Sequence, residues 1–298
     1  MIKRLKYHEI DFEKYRKCLE NSEQYKYSAA KIFLDITSQK QWELLIMNDY
    51  EAVMPVPFVI KFGIKVVLHP RLCQQLGVFS NKDDKKVNDL FLKFLIKNYN
   101  VFYYAFNDKN NFTENLQKRN NYLIFPNSYE NVRKKYSPKR KRKLRISEEI
   151  KDVYSIEEID FEASLNFMKN NMIGHKTIDD KRKYIEIFQN LYNKNLIKFS
   201  AFKVNNEIYN LIALYVENKT VVLLGTFNKK ETIKFSGASI LIDKEIENFI
   251  PSKIFDFEGS DIPNIKEFFR GFRPTEAPYS YISKSKKQLI LDLLRFRK

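Results

Sequence analysis

The pattern of strand-like and helix-like runs in this chain occurs twice, about 150 residues apart. QWELLIM, the turn Asn48-Asp49, YEAVMPVPFVI and, after Gly63, IKVVLHP read as strands joined by turns. In the second half LIKFSAFKV, Asn205-Asn206, EIYNLIALYV, Asn218-Lys219 and TVVLLGTF do the same, with the first turns 157 positions apart. Each set predicts a three-stranded antiparallel meander. VNDLFLKFLIKNY and GASILIDKEIENFI then carry apolar residues at helical spacing, and short strand-like runs follow, VFYYAF and KIFDFE, offset by 152. A second helix is predicted from FTENLQKRN and from PNIKEFFRGF, offset by 151, and a closing strand from NYLIFP and PYSYISK. Upstream, DFEKYRKCLENS and DFEASLNFMKNN predict matching amphipathic helices from Asp11 and Asp160. An offset held between about 149 and 157 over seven elements points to two copies of one unit.

A meander whose last strand returns through a crossover helix to a parallel neighbour makes a mixed sheet with helices on both faces. The expected fold class is therefore α/β, with two tandem domains, each a mixed antiparallel and parallel sheet flanked by helices. The first domain is expected over 1–130, a basic linker or linker helix over 131–150, and the second domain over 151–298. A length of 298 residues with 44% hydrophobic content supplies two cores and excludes disorder as the main state. Cys18 and Cys73 are too few for a disulfide scaffold, and with His8, His69 and His175 they form no close ligand pair, so no metal is expected. A reduced cytoplasmic setting fits. MIKRLKYHEIDF is charged throughout and predicts no secretory signal. No run reaches the ~18 apolar residues of a membrane span.

The copies differ in where they keep special residues. Four of the seven Gly (Gly225, Gly237, Gly259, Gly271) and four of the nine Pro fall between residues 225 and 278. Gly serves where backbone must approach something closely or take positive φ, so the second copy is the expected seat of chemistry. There, Lys234-Phe-Ser-Gly-Ala-Ser239 opens the crossover helix, and Asp256 and Glu258 share one face of a short strand by period 2. The matching loop of the first copy, Arg71 to Gly77, lacks such spacing.

The element order matches the GNAT acyltransferase fold. Most of the chain resembles the FemAB-like acyltransferases, a tandem-GNAT family that includes peptidoglycan aminoacyltransferases, in its acetyltransferase-like branch. The resemblance is carried by SPKRKRKLR, the GAS helix start, DFEGS, FFRGF, the terminal Pro278-Tyr279 and PRLCQQLGVF of the first half. It implies that Lys234 to Ser239 is the turn where helix N–H groups and the helix dipole hold the donor's pyrophosphate. The family pattern there is Arg or Gln, two residues, Gly, one residue, then Gly or Ala. Lys234, Gly237 and Ser239 occupy those places, so the central Gly is kept and both flanks have changed. Lys234, Ser236, Gly237, Ala238 and Ser239, with Thr226 beside the groove between the splayed strands, are thus the implied contacts of an acyl-CoA donor. A simple helix cap by Ser236 is the alternative. The family helix after DFEGS often reads Phe-Lys-Lys-Gly-Phe-Gly, its first Lys being assigned to the reaction centre. Aligned on Gly271 and Phe272, that Lys is Phe269 here and the next residue is Arg270. The change favours acyl-CoA, or another activated acyl group, over an aminoacyl-tRNA donor, unless Arg270 takes the charge-stabilising role.

Acyl transfer to an amine needs a base, donors for the oxyanion, and an acid or solvent for the leaving group. Glu258 is the first candidate for the base and Asp256 the second; a cap or an ion pair with Arg270 or Arg273 is their structural alternative. Tyr279, with Tyr281 on the same strand face, is a candidate acid or acceptor wall, packing being the alternative. The expected activity is N-acyl transfer to an amine on a small molecule, a cell-wall precursor or a lipid head group. Of the surplus of +16 charges, nine lie between Arg133 and Arg145 with no acidic residue among them. This run reads as a solvated linker helix or as a docking surface for tRNA or anionic lipid, which would place the protein at the inner membrane face. The other function class is a non-enzymatic binding protein on a degenerate acyltransferase scaffold, holding nucleic acid or anionic lipid through the same run. KKQLILDLLRFRK predicts a basic amphipathic helix packed on the first domain.

Overall fold

The computed structural model describes residues 1–61, 63–260, 262–285 and 287–289. One unit joins Met1–Arg119 to Pro278–Lys298, and the other is Asn120–Ala277. In the first unit β1 (Ile2–Leu5) leads through α1 (Phe12–Glu20) and α2 (Lys31–Ser38) to the meander β2 (Trp42–Met47), β3 (Ala52–Lys61) and β4 (Ile64–Val67). Then come β5 (Phe79–Ser80), α3 (Lys85–Asn98), β6 (Asn100–Val101) and β7 (Tyr103–Ala105), followed by β8 (Gln117–Ile124), most of which belongs to the second unit. The sheet runs β1-β2-β3-β4-β6, antiparallel as far as β4 and parallel between β4 and β6.

The second unit repeats this order. After α4 (Tyr129–Lys135) and α5 (Pro138–Lys143), β9 (Tyr154–Ile159) leads through α6 (Phe161–Asn171) and α7 (Ile178–Tyr192) to β10 (Ile197–Val204), β11 (Glu207–Val216) and β12 (Thr220–Asn228). α8 (Gly237–Phe249), β13 (Ile254–Asp256), α9 (Pro263–Arg270) and β14 (Thr275–Ser283) complete the chain. Its strands run β8-β13-β12-β11-β10-β9, and only β12 and β13 are parallel. The fold is thus mixed α/β, with two mixed sheets flanked by helices. Asp11 caps α1 by accepting N–H bonds from Glu13 and Lys14, and Asp160 caps α6 by accepting from Ala163. The Asn205-Asn206 turn takes φ of 48° and 63°, values that Asn tolerates better than most residues.

One face of the second sheet packs Phe202, Ile212, Leu214 and Val221 against Leu241, Ile242 and Ile246 of α8. On α7, Phe188 meets Phe199 of β10 and Phe227 of β12. Among the described residues, no helix is long and apolar enough to cross a membrane.

Three sequence expectations change. FTENLQKRN forms no helix: Gln117 already begins β8, and Asp89 accepts the Thr113 N–H at 3.0 Å in the preceding loop. Phe112 and Leu116 are its only apolar residues, too few for a buried helical stripe. Secondly, the closing strands serve the opposite copies from those expected. Leu123 and Ile124 pair with Asp256 and Phe255 in the second unit, whereas Tyr281 to Ser283 pair with Tyr103 to Ala105 in the first. The unit boundaries therefore fall at 119/120 and 277/278 rather than at 130 and 151. Thirdly, the basic run is two short helices with one buried face, while eight of its nine cations are exposed. Val132, Tyr136 and Arg140 are buried at four-residue spacing, and the chain breaks between α4 and α5 where Ser137 caps the second helix and Pro138 fills its first position. The C-terminal basic helix, apart from 287–289, lies outside the described residues.

Candidate functional site at the start of the crossover helix

β12 leaves the sheet at Asn228, a 3₁₀ turn spans Lys230–Phe235, and Ser236 takes a left-handed conformation (φ 57°) before α8 begins at Gly237. The Ser236 side chain makes no cap bond; its carbonyl accepts the N–H groups of Ser239 (2.8 Å) and Ile240 (3.3 Å). The first donors of the helix have no earlier turn to bond to. A Cβ on Gly237 would overlap Asn210 Oδ1 and stand 2.6 Å from Phe202 Cδ1, so Gly237 lets α8 lie directly on β10 and β11. The retained Gly has a packing reason in this chain.

A cleft of about 420 Å³ opens at this helix start. Residues Ser236 to Ser239 form one side, Asn210 and Asn228 line it from the sheet, Lys139, Arg140 and Lys143 come from α5, and Asn264, Glu267 and Phe268 from α9. Arg140 ties the walls together. Its Nη1 donates to Ser239 Oγ, its Nη2 to the Phe268 carbonyl at 2.6 Å, and its guanidinium lies 4.2 and 4.1 Å from the ring centres of Phe268 and Phe272. Burial pulls its pKa down to about 10, which leaves it charged at neutral pH. Two buried polar atoms of cleft-lining residues, Arg140 Nε and Asn210 Oδ1, have no hydrogen-bond partner. Behind Arg140, Asp243 of α8 accepts the Tyr129 hydroxyl proton at 2.7 Å, and burial pushes the Asp243 carboxyl up.

The residues expected to hold a donor divide in the structure. Ser236, Gly237, Ala238 and Ser239 all line the cleft. Lys234 is exposed and paired with Glu149 at 2.7 Å, and Thr226 sits half-exposed on β12 opposite Ile212, away from the lining. The reaction candidates are more scattered. β12 and β13 pair only as far as Val222 and Asp256; the next N–H, from Phe257, goes to the Tyr122 carbonyl of β8. Asp256 is 1% exposed and its Oδ1 accepts the Glu258 N–H at 2.8 Å. Glu258 and Gly259 then take φ of 60° and 59°, and a Cβ at Gly259 would overlap the Asn120 carbonyl. β13 ends at Asp256, so the two carboxylates share no strand face: one is buried under a tight turn and the other is half-exposed on it. Arg270 borders a neighbouring depression, where Glu276 binds it at 3.0 and 2.6 Å and raises its pKa; neither Asp256 nor Glu258 supplies that contact. Tyr279 belongs to the first unit and is buried there.

Lys139, Arg140 and Lys143 were hidden in the sequence by the charge run around them. The signal that marks them is Ser137-Pro138, a helix start, with Arg140 three residues after the cap and four after Tyr136.

No protein-family model and no curated protein matches this sequence. Solved structures do match it. The crystal structure of FemX superposes with a TM-score of 0.64 at 11% identity, covering 93% of this chain and 96% of that one. The chain has a FemX-like fold. A conserved protein of unknown function from Bacteroides thetaiotaomicron matches with a TM-score of 0.52 at 12% identity, over 95% of this chain and 100% of that one. The C-terminal domain of a putative lysylphosphatidylglycerol synthetase from Agrobacterium fabrum gives 0.50 at 10% identity, over 96% and 95%. At these identities the likeness is one of fold, and the FemX-like fold leaves donor and acceptor to be read from the site.

Proposed function

We propose that the protein is a cytoplasmic N-acyltransferase that takes a phosphate-bearing activated acyl donor, acyl-CoA, in the cleft at the start of α8 and passes the acyl group to an amine. The observation that carries this reading is the buried, charged Arg140 fixed beside the first turn of α8, with Lys139 and Lys143 lining the same cleft. Helix N–H groups and three cations together suit a pyrophosphate. The parting of β12 and β13 after Val222 and Asp256 supports a path for the acyl arm toward Glu258. There the amine nitrogen attacks the acyl carbonyl, the bond to the leaving thiolate breaks, and Glu258 accepts the amine proton, directly or through water. Asp256 holds the Glu258 turn through its bond to the Glu258 N–H. Arg270, held by Glu276, is the candidate for charge stabilisation. The acceptor is an amine on a small molecule, a cell-wall precursor or a lipid head group; FemX and the lysylphosphatidylglycerol synthetase among the fold neighbours support that range.

A second reading rests on one observation. Eight of the nine cations from Arg133 to Arg145 are exposed, and none makes an ion pair among the described residues. Such a strip suits tRNA or an anionic head group, as an accessory contact of the enzyme or as the main function of a non-enzymatic binder. Thermal denaturation with acetyl-CoA and longer acyl-CoAs separates the two. The enzyme reading predicts that saturating donor raises Tm by several degrees, as a ligand at about 100-fold its Kd adds about 2.7 kcal/mol. No stabilisation by any donor, together with salt-sensitive RNA binding, would sink it.

A further inference from the structure

Far along the chain from the cleft, the connection between α6 and α7 carries an apolar surface with nothing of the second unit covering it. Ile173 is 71% exposed and Ile178, the first residue of α7, is 88% exposed. They continue into a shallow groove of about 480 Å³ between the two helices, floored by Phe161, Leu165 and Ile185. A single exposed Ile is ordinary; two at one helical tip, joined to an apolar groove, are not. Charge around the tip is one-sided. Between Lys169 and Lys183 there are five cations against two carboxylates. Asp179 is taken by Arg182 and Lys183, each at 2.7 Å, and Asp180 accepts the Lys176 N–H at 3.0 Å. Lys169, Lys176 and Lys181 make no ion pair among the described residues. Thr177 caps α7 by accepting the Asp180 N–H at 3.1 Å, Met172 N–H closes α6 onto Met168, and Gly174 (φ 87°) makes the turn. Apolar side chains on a tight turn ringed by Lys that make no ion pair among the described residues suit a lipid interface, where head-group oxygens accept from the turn's remaining N–H groups.

We infer that the α6–α7 tip docks on an anionic phospholipid bilayer, with Ile173 and Ile178 entering the head-group boundary and Lys169, Lys176 and Lys181 meeting lipid phosphates. This surface is separate from the α4–α5 cation strip and from the α8 cleft, and it is independent of the acyl donor's identity. Co-sedimentation of the full chain with vesicles tests it, using phosphatidylcholine alone and phosphatidylcholine mixed with phosphatidylglycerol. The protein is expected to bind the mixed vesicles and to leave the neutral ones. Ile173→Ser with Ile178→Ser should weaken binding about ten-fold without changing Tm, because both side chains are already in water. Lys181→Ser alone should weaken it about five-fold, corresponding to ~1 kcal/mol per surface cation. A variant with Arg133, Lys134 and Lys135 changed to Ser, in the other cation strip, should retain the Ile dependence. No binding to mixed vesicles, wild-type binding by the double Ile variant, or recognition of the tip by an acidic protein without vesicle binding would each overturn the inference.

Discussion

Arg140 shows how a residue from a charge run becomes a structural centre. Its guanidinium has two hydrogen bonds and two aromatic faces, so the charge is buried without being abandoned. Arg140→Met keeps much of the volume and loses the fork; it should cost about 1–3 kcal/mol in urea denaturation and abolish donor-induced stabilisation. Arg140→Lys should not restore that stabilisation, because an ammonium cannot span Ser239 and the Phe268 carbonyl with fixed planar geometry. Gly237 is constrained from the other side. Gly237→Ala forces a methyl into Asn210 and Phe202, and should cost about 1–3 kcal/mol through movement of the helix start, read as a lower denaturation midpoint with an unchanged m-value. His69 gives a pH signature in the first unit. Its Nε2 accepts the Ala105 N–H at 3.1 Å, its Nδ1 faces the Cys73 carbonyl at 3.2 Å, and burial lowers its pKa from 6.5 to about 4. The unfolded chain therefore binds the extra proton first. The stability that depends on neutral His69 is intact above pH 6.5 and is lost as pH falls toward 4, by roughly 3 kcal/mol in all. His69→Gln should flatten the acid limb of a stability profile over that window; an unchanged slope would assign the limb to other groups.

At the scale of elements, α8 is the part on which the packing of the second sheet and the proposed donor site both rest. Its start rests on the sheet through Gly237, and further along Glu245 accepts the Ser200 hydroxyl proton at 2.5 Å and pairs with Lys198 at 2.9 Å. The period-2 runs and the helix starts at Asp11 and Asp160 were legible in the sequence because they are local: alternation and a helix start need only nearby residues. Strand partnership was not legible. NYLIFP and PYSYISK look alike as strands, and only their hydrogen bonds reveal which unit each completes. The same limit applies to the site. The helix-start turn was readable from small residues around Gly237, whereas the cations facing it come from a helix almost 100 positions earlier. Asp256 and Glu258 looked like strand neighbours, but a positive φ at Glu258 breaks the alternation. Glu258→Gln should lower turnover at least 100-fold with donor affinity nearly unchanged, as expected for loss of a general base. Unchanged turnover would remove Glu258 from the reaction.

For the whole molecule, the repeat of about 150 residues and the run of nine cations from Arg133 to Arg145 meet in the second unit. The two halves share an element order, yet the cations of α5 and the cleft at α8 belong to one of them. Low Gly content makes sense in that light: Gly237 and Gly259 each stand where a Cβ would overlap a neighbour, one beside the cleft and one at the Glu258 turn. The FemX-like fold supplies the frame, and the central claim is that the donor lies against the first turn of α8. Hydrogen–deuterium exchange with and without saturating acetyl-CoA, or a longer acyl-CoA, tests that claim most directly. Slowed exchange in peptides covering Ser236 to Ile240 and Ser137 to Lys143 is the predicted result; no protection of these peptides with any donor would contradict it.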